Sequence, residues 1–170
     1  MKTVLIHREY PTVFRYKKKE MEISPEGGRG HYDLAILNPD FMANHSLETV
    51  IAKDFAKVAT SERDHLLAAI EFKFIHRALG RDMRGEIKKD AIKLNWSITL
   101  EPPQSQNVYL LVFNRYKHEP TLIADIKNWS RNYPQVKMLY VESVIAKEKH
   151  KKVLFRGKWK NQAPFLLKYV

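Results

Sequence analysis

At 170 residues, with 44% hydrophobic and 29% charged positions, the chain is long enough for one domain with a substantial core, and its composition excludes a disordered or fibrous protein. It contains no cysteine, which excludes disulfides, cysteine-ligated zinc or iron–sulfur centres and thiol chemistry, and fits a reducing cytoplasmic location. Its 30 Lys plus Arg against 19 Asp plus Glu give a formal charge of +11 and a pI near 9.7, a balance that favours a polyanionic partner, nucleic acid foremost.

The opening MKTVLIHREY holds an apolar patch too short for a signal segment or a membrane span, so no membrane association is expected. Thr3 to Ile23 then reads as strand: VLIH, Thr12 to Tyr16 and Met21 to Ile23 are rich in β-branched and aromatic residues, with Pro11 at an edge or bend. Ser24 to Gly30, SPEGGRG, is a turn cluster joining a hairpin, and its glycine spacing matches neither the dinucleotide fingerprint nor the phosphate loop. In the next strand, His31 to Leu37, alternation puts Tyr32, Leu34 and Ile36 on one face and Asp33, Ala35 and Leu37 on the other, and Asn38-Pro39-Asp40 ends it. Ser46 to Ala59 has a helical period through Leu47, Val50, Ile51, Phe55 and Val58, with Ser46 as N-cap.

Leu66 to Ile75, LLAAIEFKFI, is an apolar strand that carries one carboxylate and one ammonium two residues apart. Ile70, Phe72 and Phe74 point one way, and Ala69, Glu71, Lys73 and Ile75 the other. Ionised groups on a mostly buried strand cost several kcal/mol unless they are paired or bound to a metal, so Glu71 and Lys73 require compensation. Glu86 to Trp96 reads as an amphipathic helix with Ile87, Ala91 and Leu94 inside and Lys88, Lys89 and Lys93 largely outside. Val108 to Phe113 is a continuous apolar run expected mid-sheet and covered on both sides. Pro120 to Asn132 returns to a helical period, and Val136 to Val141 is a further strand.

After Val144 the composition shifts towards lysine and arginine interleaved with aromatics, and VLFRGKW and PFLLKYV suggest a cationic hairpin. Lys151, Lys152, Arg156, Lys158 and Lys160 are its candidates for contacting a phosphate backbone, and a solvated edge strand kept soluble by lysine is the equal alternative. No repeat or low-complexity linker interrupts the chain, so a single domain is expected, with residues 1–146 as core and 147–170 as the basic hairpin.

Asp33 on one strand and Glu71-x-Lys73 on a later one form a set whose carboxylates suit a hard divalent cation and whose lysine suits an attacking water and a developing phosphate charge. With Gly30-His31-Tyr32-Asp33 and Ile70-Glu71-Phe72-Lys73 as the matching segments, the chain resembles the PD-(D/E)xK nuclease superfamily. The resemblance spans roughly residues 7 to 141 in element order, though its residue signature is only Asp33, Glu71 and Lys73. It implies an α/β restriction-endonuclease-like fold, a central mixed β-sheet flanked by helices. It further implies that Asp33, Glu71 and the Phe72 backbone carbonyl ligate magnesium or manganese, that Lys73 orients the nucleophilic water, and that the reaction is endonucleolytic hydrolysis of nucleic acid, DNA being the expected partner. A homodimer would suit cleavage of both strands.

Three departures from the family pattern stand out. Tyr32 occupies the position of the motif proline, the usual N-terminal helix has no counterpart before the first strand, and the connection between the two acidic strands is long. Glu9 is a candidate extra metal ligand, against the alternative of an exposed glutamate paired with Arg8 or Arg15; Lys89 is a candidate phosphate contact, against a solvated helix face. His7, His31 and His76 lack metal-ligand spacing. Competing readings are a structural Glu71–Lys73 ion pair, a non-catalytic nucleic-acid-binding module on the same fold, and an assembly subunit whose basic tail docks on an acidic protein.

Overall fold

Parallel neighbours in a sheet need a crossover of a dozen or more residues, and the spacing of apolar runs after residue 65 supplies two of them. The computed structural model describes residues 6–44, 65–76, 80–115, 119–145, 153–158 and 165–168. In chain order the elements are β1 (Ile6–Lys17), β2 (Glu22–Ile23), β3 (Gly28–Leu37), α1 (Pro39–Asn44), β4 (Leu66–Ile75), α2 (Arg81–Thr99), β5 (Val108–Asn114), α3 (Pro120–Asn132), β6 (Val136–Ile145), β7 (Val153–Lys158) and β8 (Phe165–Lys168). They build one mixed sheet of order β2-β1-β3-β4-β5-β6-β7-β8, in which β4, β5 and β6 run parallel and the remaining pairs are antiparallel. The long β3–β4 connection therefore ends in adjacency, and the C-terminal segments form the expected hairpin on the sheet's far side. The helical period at Ser46 to Ala59 lies outside the described residues.

Two right-handed crossovers that progress in one direction place both helices on the same side of the sheet. There Ala69, Val108, Leu110, Val112, Val136 and Met138 form one buried cluster with Ile87, Ala91 and Leu94 of α2 and Leu122, Ile126 and Trp129 of α3. Arg84 of α2 pairs with Asp125 of α3. The second face of β5 is half-buried rather than closed, and on that face Phe72, Phe74 and Phe113 stack nearly parallel, with Phe74 63% exposed. No described helix is long and apolar enough to cross a membrane.

Two local expectations change, and a third is extended. Helix α2 begins at Arg81, ahead of the periodic stretch, because Gly80 takes an extended N-cap conformation and Asp82 complements the dipole of the first turn. Strand β3 starts at Gly28, where Gly28 and Arg29 pair with Tyr16 and Arg15, and a Cβ on Gly27 would lie 2.3 Å from the Tyr16 carbonyl carbon. Asn38-Pro39-Asp40 ends β3 after Leu37 as expected, and beyond that it opens the short helix α1, with the Asn38 side chain accepting the Asp40 N–H.

The strict alternation expected for β3 fails. Tyr32 is buried in the same core as Ala35 and Leu37, three and five residues on. Its hydroxyl donates to Gln104 and bonds Ser97 on α2, and its partner Tyr10 is buried with it. The break falls between Tyr32 and Ala35, beside Glu9 of β1, whose φ of 52° is left-handed. Such a φ costs a non-glycine residue about 1 to 2 kcal/mol.

Candidate active site

β3 and β4 pair from Leu37 opposite Leu66 to Leu34 opposite Ile70, and the ladder ends there. The Phe72 N–H donates instead to Asp33 Oδ2 at 2.7 Å. The N–H and C=O of one strand residue face the same neighbour, so the Phe72 carbonyl opens into the gap that Asp33 occupies. Glu71, 2% exposed, and Lys73, half-buried, project from the other face-set of β4, towards α2.

Helix α2 brings a second acid and a second lysine to them. Glu86, Asp90, Lys93 and Ser97 are spaced four, three and four apart, which sets them in one stripe beside the apolar stripe of Ile87, Ala91 and Leu94. Lys93 Nζ lies 2.7 Å from Glu71 Oε1 and 3.5 Å from Asp90 Oδ1, and it donates to the His31 carbonyl at 2.7 Å. Lys73 Nζ lies 2.6 Å from Asp90 Oδ2. Glu71 and Lys73 are thus each compensated by the helix rather than by each other. The expectation that Lys93 lies outside with Lys88 and Lys89 is overturned: it is buried, while Lys88 is exposed and Lys89 half-buried.

Burial is the main influence on Glu71 and pushes its carboxyl up to about 8, against the pull of Lys93 and with Asp90 and Asp33 adding to the rise. Burial works against the Lys73 ammonium, but Asp90, then Glu71 and Asp33, outweigh it and hold Lys73 above its ordinary value. Lys93 is likewise held up by Glu71 and Asp90 against its burial. The cluster holds three carboxyl groups, Asp33, Glu71 and Asp90, beside two ammoniums; the raised Glu71 carboxyl keeps its proton at neutral pH, and a cation bound there would have to displace that proton.

These groups line a cleft of about 470 Å³ whose walls include Lys17, Lys18, Arg29 and Lys89. Lys18 and Lys89 both reach Glu86, at 3.5 and 3.0 Å, across the start of α2. Glu9 lines the same cleft but is exposed. Among the described residues no group of three or more His, Asp or Glu side chains is placed to hold a metal, so Glu9 is not drawn into a cage with Asp33 and Glu71. What converges is two carboxylates and the direction of one main-chain carbonyl. These hard oxygen donors fit magnesium or manganese, which complete their coordination with water and substrate.

Of the other candidates, Arg156 and Lys158 stand on β7, in register with Glu142 and Tyr140 of β6, three strands from β4 in sheet order. Lys151, Lys152 and Lys160 lie outside the described residues. The cations around the cleft come from β1, the turn after it, β3 and α2 instead. His31 contributes its carbonyl, and His76 is exposed. Asp90 and Lys93 are the residues that sequence reasoning left without a role; the signal for them was a polar stripe at helical spacing directly beside an apolar one. No family model, curated protein or solved structure matches this chain, and the chemistry of the cleft rests on its own residues.

Proposed function

We propose that the chain is a metal-dependent nuclease of the PD-(D/E)xK kind, with a restriction-endonuclease-like core, that hydrolyses phosphodiester bonds of nucleic acid, DNA being the expected substrate. The observation that carries this reading is the meeting of Asp33 with Glu71 and Lys73 where β3 and β4 part, inside a cleft whose walls carry four cationic side chains besides Lys73 and Lys93.

Asp33, Glu71 and the Phe72 carbonyl would hold magnesium or manganese, which when bound supplies Lewis-acid polarisation of the phosphate and a more acidic water. Lys73, kept charged and pinned by Asp90, donates hydrogen bonds: it orients water and stabilises charge growing on phosphate oxygens, and it does not take a proton. Asp33 keeps the β3–β4 gap open by satisfying the Phe72 N–H that no strand partner meets. Lys17, Lys18, Arg29 and Lys89 draw in the phosphate backbone with release of counterions, so binding should weaken steeply with salt.

The test is cleavage of supercoiled plasmid and of a labelled single strand, with magnesium, manganese or chelator, by wild type and Lys73→Ala. Metal-dependent cleavage that vanishes in the variant supports the proposal. Equal DNA binding by both proteins, with no cleavage by either, rejects it in favour of a non-catalytic binding module.

A further inference from the structure

The ammonium of Lys93 sits in a cation position built from three parts of the fold. Its three N–H groups have three oxygens within reach: Glu71 Oε1 from β4, the His31 carbonyl from β3 and Asp90 Oδ1 from its own helix. The contact with Glu71 is dry, with 7% of the lysine side chain and 3% of the glutamate side chain exposed. Lys73 makes its 2.6 Å contact with Asp90 instead. The two lysines therefore divide the cluster, one holding the glutamate and the other held by the aspartate.

From this geometry we infer that Lys93 is a built-in counter-ion, a positioning residue that holds Glu71 aimed at the cleft when no metal is bound and competes with the metal for the same carboxylate. The inference rests on the proposed metal site and goes beyond it by assigning a role to a residue outside the Asp33, Glu71 and Lys73 set. An acid this buried is costly without a partner, and Lys93 lets the metal-free chain fold with it in place. A divalent ion at Glu71 must then sit beside the Lys93 charge on Oε2, or displace the ammonium from Oε1. Affinity for the ion is set partly by a residue that never touches substrate.

The experiment is Mn²⁺ binding to the full chain by calorimetry, with thermal midpoints recorded with and without Mn²⁺. Lys93→Met should bind Mn²⁺ at least about tenfold more tightly, the order expected when a unit charge beside a ligand is removed. Its thermal midpoint should also rise more on adding Mn²⁺ than that of wild type, because the ion then takes the place of the ammonium beside Glu71. Lys93→Arg, which keeps the charge, should bind as wild type. If Lys93 is only a brace, Lys93→Met loses the same stability with and without Mn²⁺ and its affinity is unchanged or weaker, and either result overturns the inference. Should Lys93→Met fail to fold even with Mn²⁺, the wild-type chain decides the matter: on Mg²⁺ titration the Lys93 ¹⁵Nζ resonance should move while that of exposed Lys88 stays, and an unmoved Lys93 overturns the inference. A wild-type chain that binds no Mn²⁺ overturns the proposed function and this inference together, whereas equal affinities in wild type and Lys93→Met overturn this inference alone.

Discussion

Strands β4 and β5 are neighbours in register under one helix layer, yet they use the same rows for different ends. Glu71 is opposite Leu110 and Lys73 opposite Val112. On β5 those rows are apolar and belong to the core shared with α2 and α3. On β4 they are ionisable, and α2 contributes Asp90 and Lys93 to partner them. Four ionisable groups placed where two apolar side chains would pack add little or nothing to stability, since well-packed apolar replacements of buried ion pairs are often neutral or stabilising. The cost is intelligible if the site handles charge as proposed, with β5 holding the fold and β4 carrying the proposed chemistry.

The largest effect that separates them is on catalysis. Glu71→Gln should lower metal-dependent plasmid cleavage by at least about a hundredfold while DNA binding persists, and its thermal midpoint should move less than that of Leu110→Ala. Retained cleavage would break the division at its centre. In the other row, Leu110→Ala should cost about 2 to 5 kcal/mol in urea unfolding and leave Mn²⁺ affinity unchanged. An affinity that moved with Leu110 would mean that the two halves are one unit.

A subtler difference lies in pH. The Glu71 carboxyl stands at about 8 in the folded chain against an ordinary 4.5, so between those values the folded state keeps a proton that the unfolded state has released. The resulting contribution to stability is complete below about 4.5 and is lost as pH rises through about 8. The thermal midpoint of the metal-free protein should fall over that window, the slope should survive in Leu110→Ala, and it should be absent in Glu71→Gln. The smallest expected effect belongs to the rim: Lys89→Ala should change stability by less than about 0.5 kcal/mol and reduce the slope of log affinity against log salt by about one.

Much of this organisation is local and could be read in the chain. LLAAIEFKFI occupies β4 from Leu66 to Ile75 and Pro120 to Asn132 forms α3 as expected, because periods of two and of 3.6 are properties of neighbouring residues. Tyr32 escaped that logic. Its burial with Ala35 breaks the alternation of β3 opposite Glu9 of the adjacent strand, whose φ of 52° is left-handed, and no pattern within β3 contains that neighbour. Lys93 escaped for a different reason: at the border of the apolar stripe its long stem can run to solvent or inward, and what lies beneath the helix decides which.

The sequence by itself determined the strands and helices after residue 65, the two acids and the lysine worth watching, and the excess of positive charge. Only the tertiary structure decided that Asp33 caps the Phe72 N–H, that Glu71 pairs with Lys93 while Lys73 pairs with Asp90, and that the cations around the cleft come from β1, the turn after it, β3 and α2, with the hairpin strand β7 three strands away from β4. The physical reason is that periodicity records which face of an element avoids water, whereas the partner of a buried charge is whichever opposite charge the packed helix and the splayed strand bring within about 3 Å.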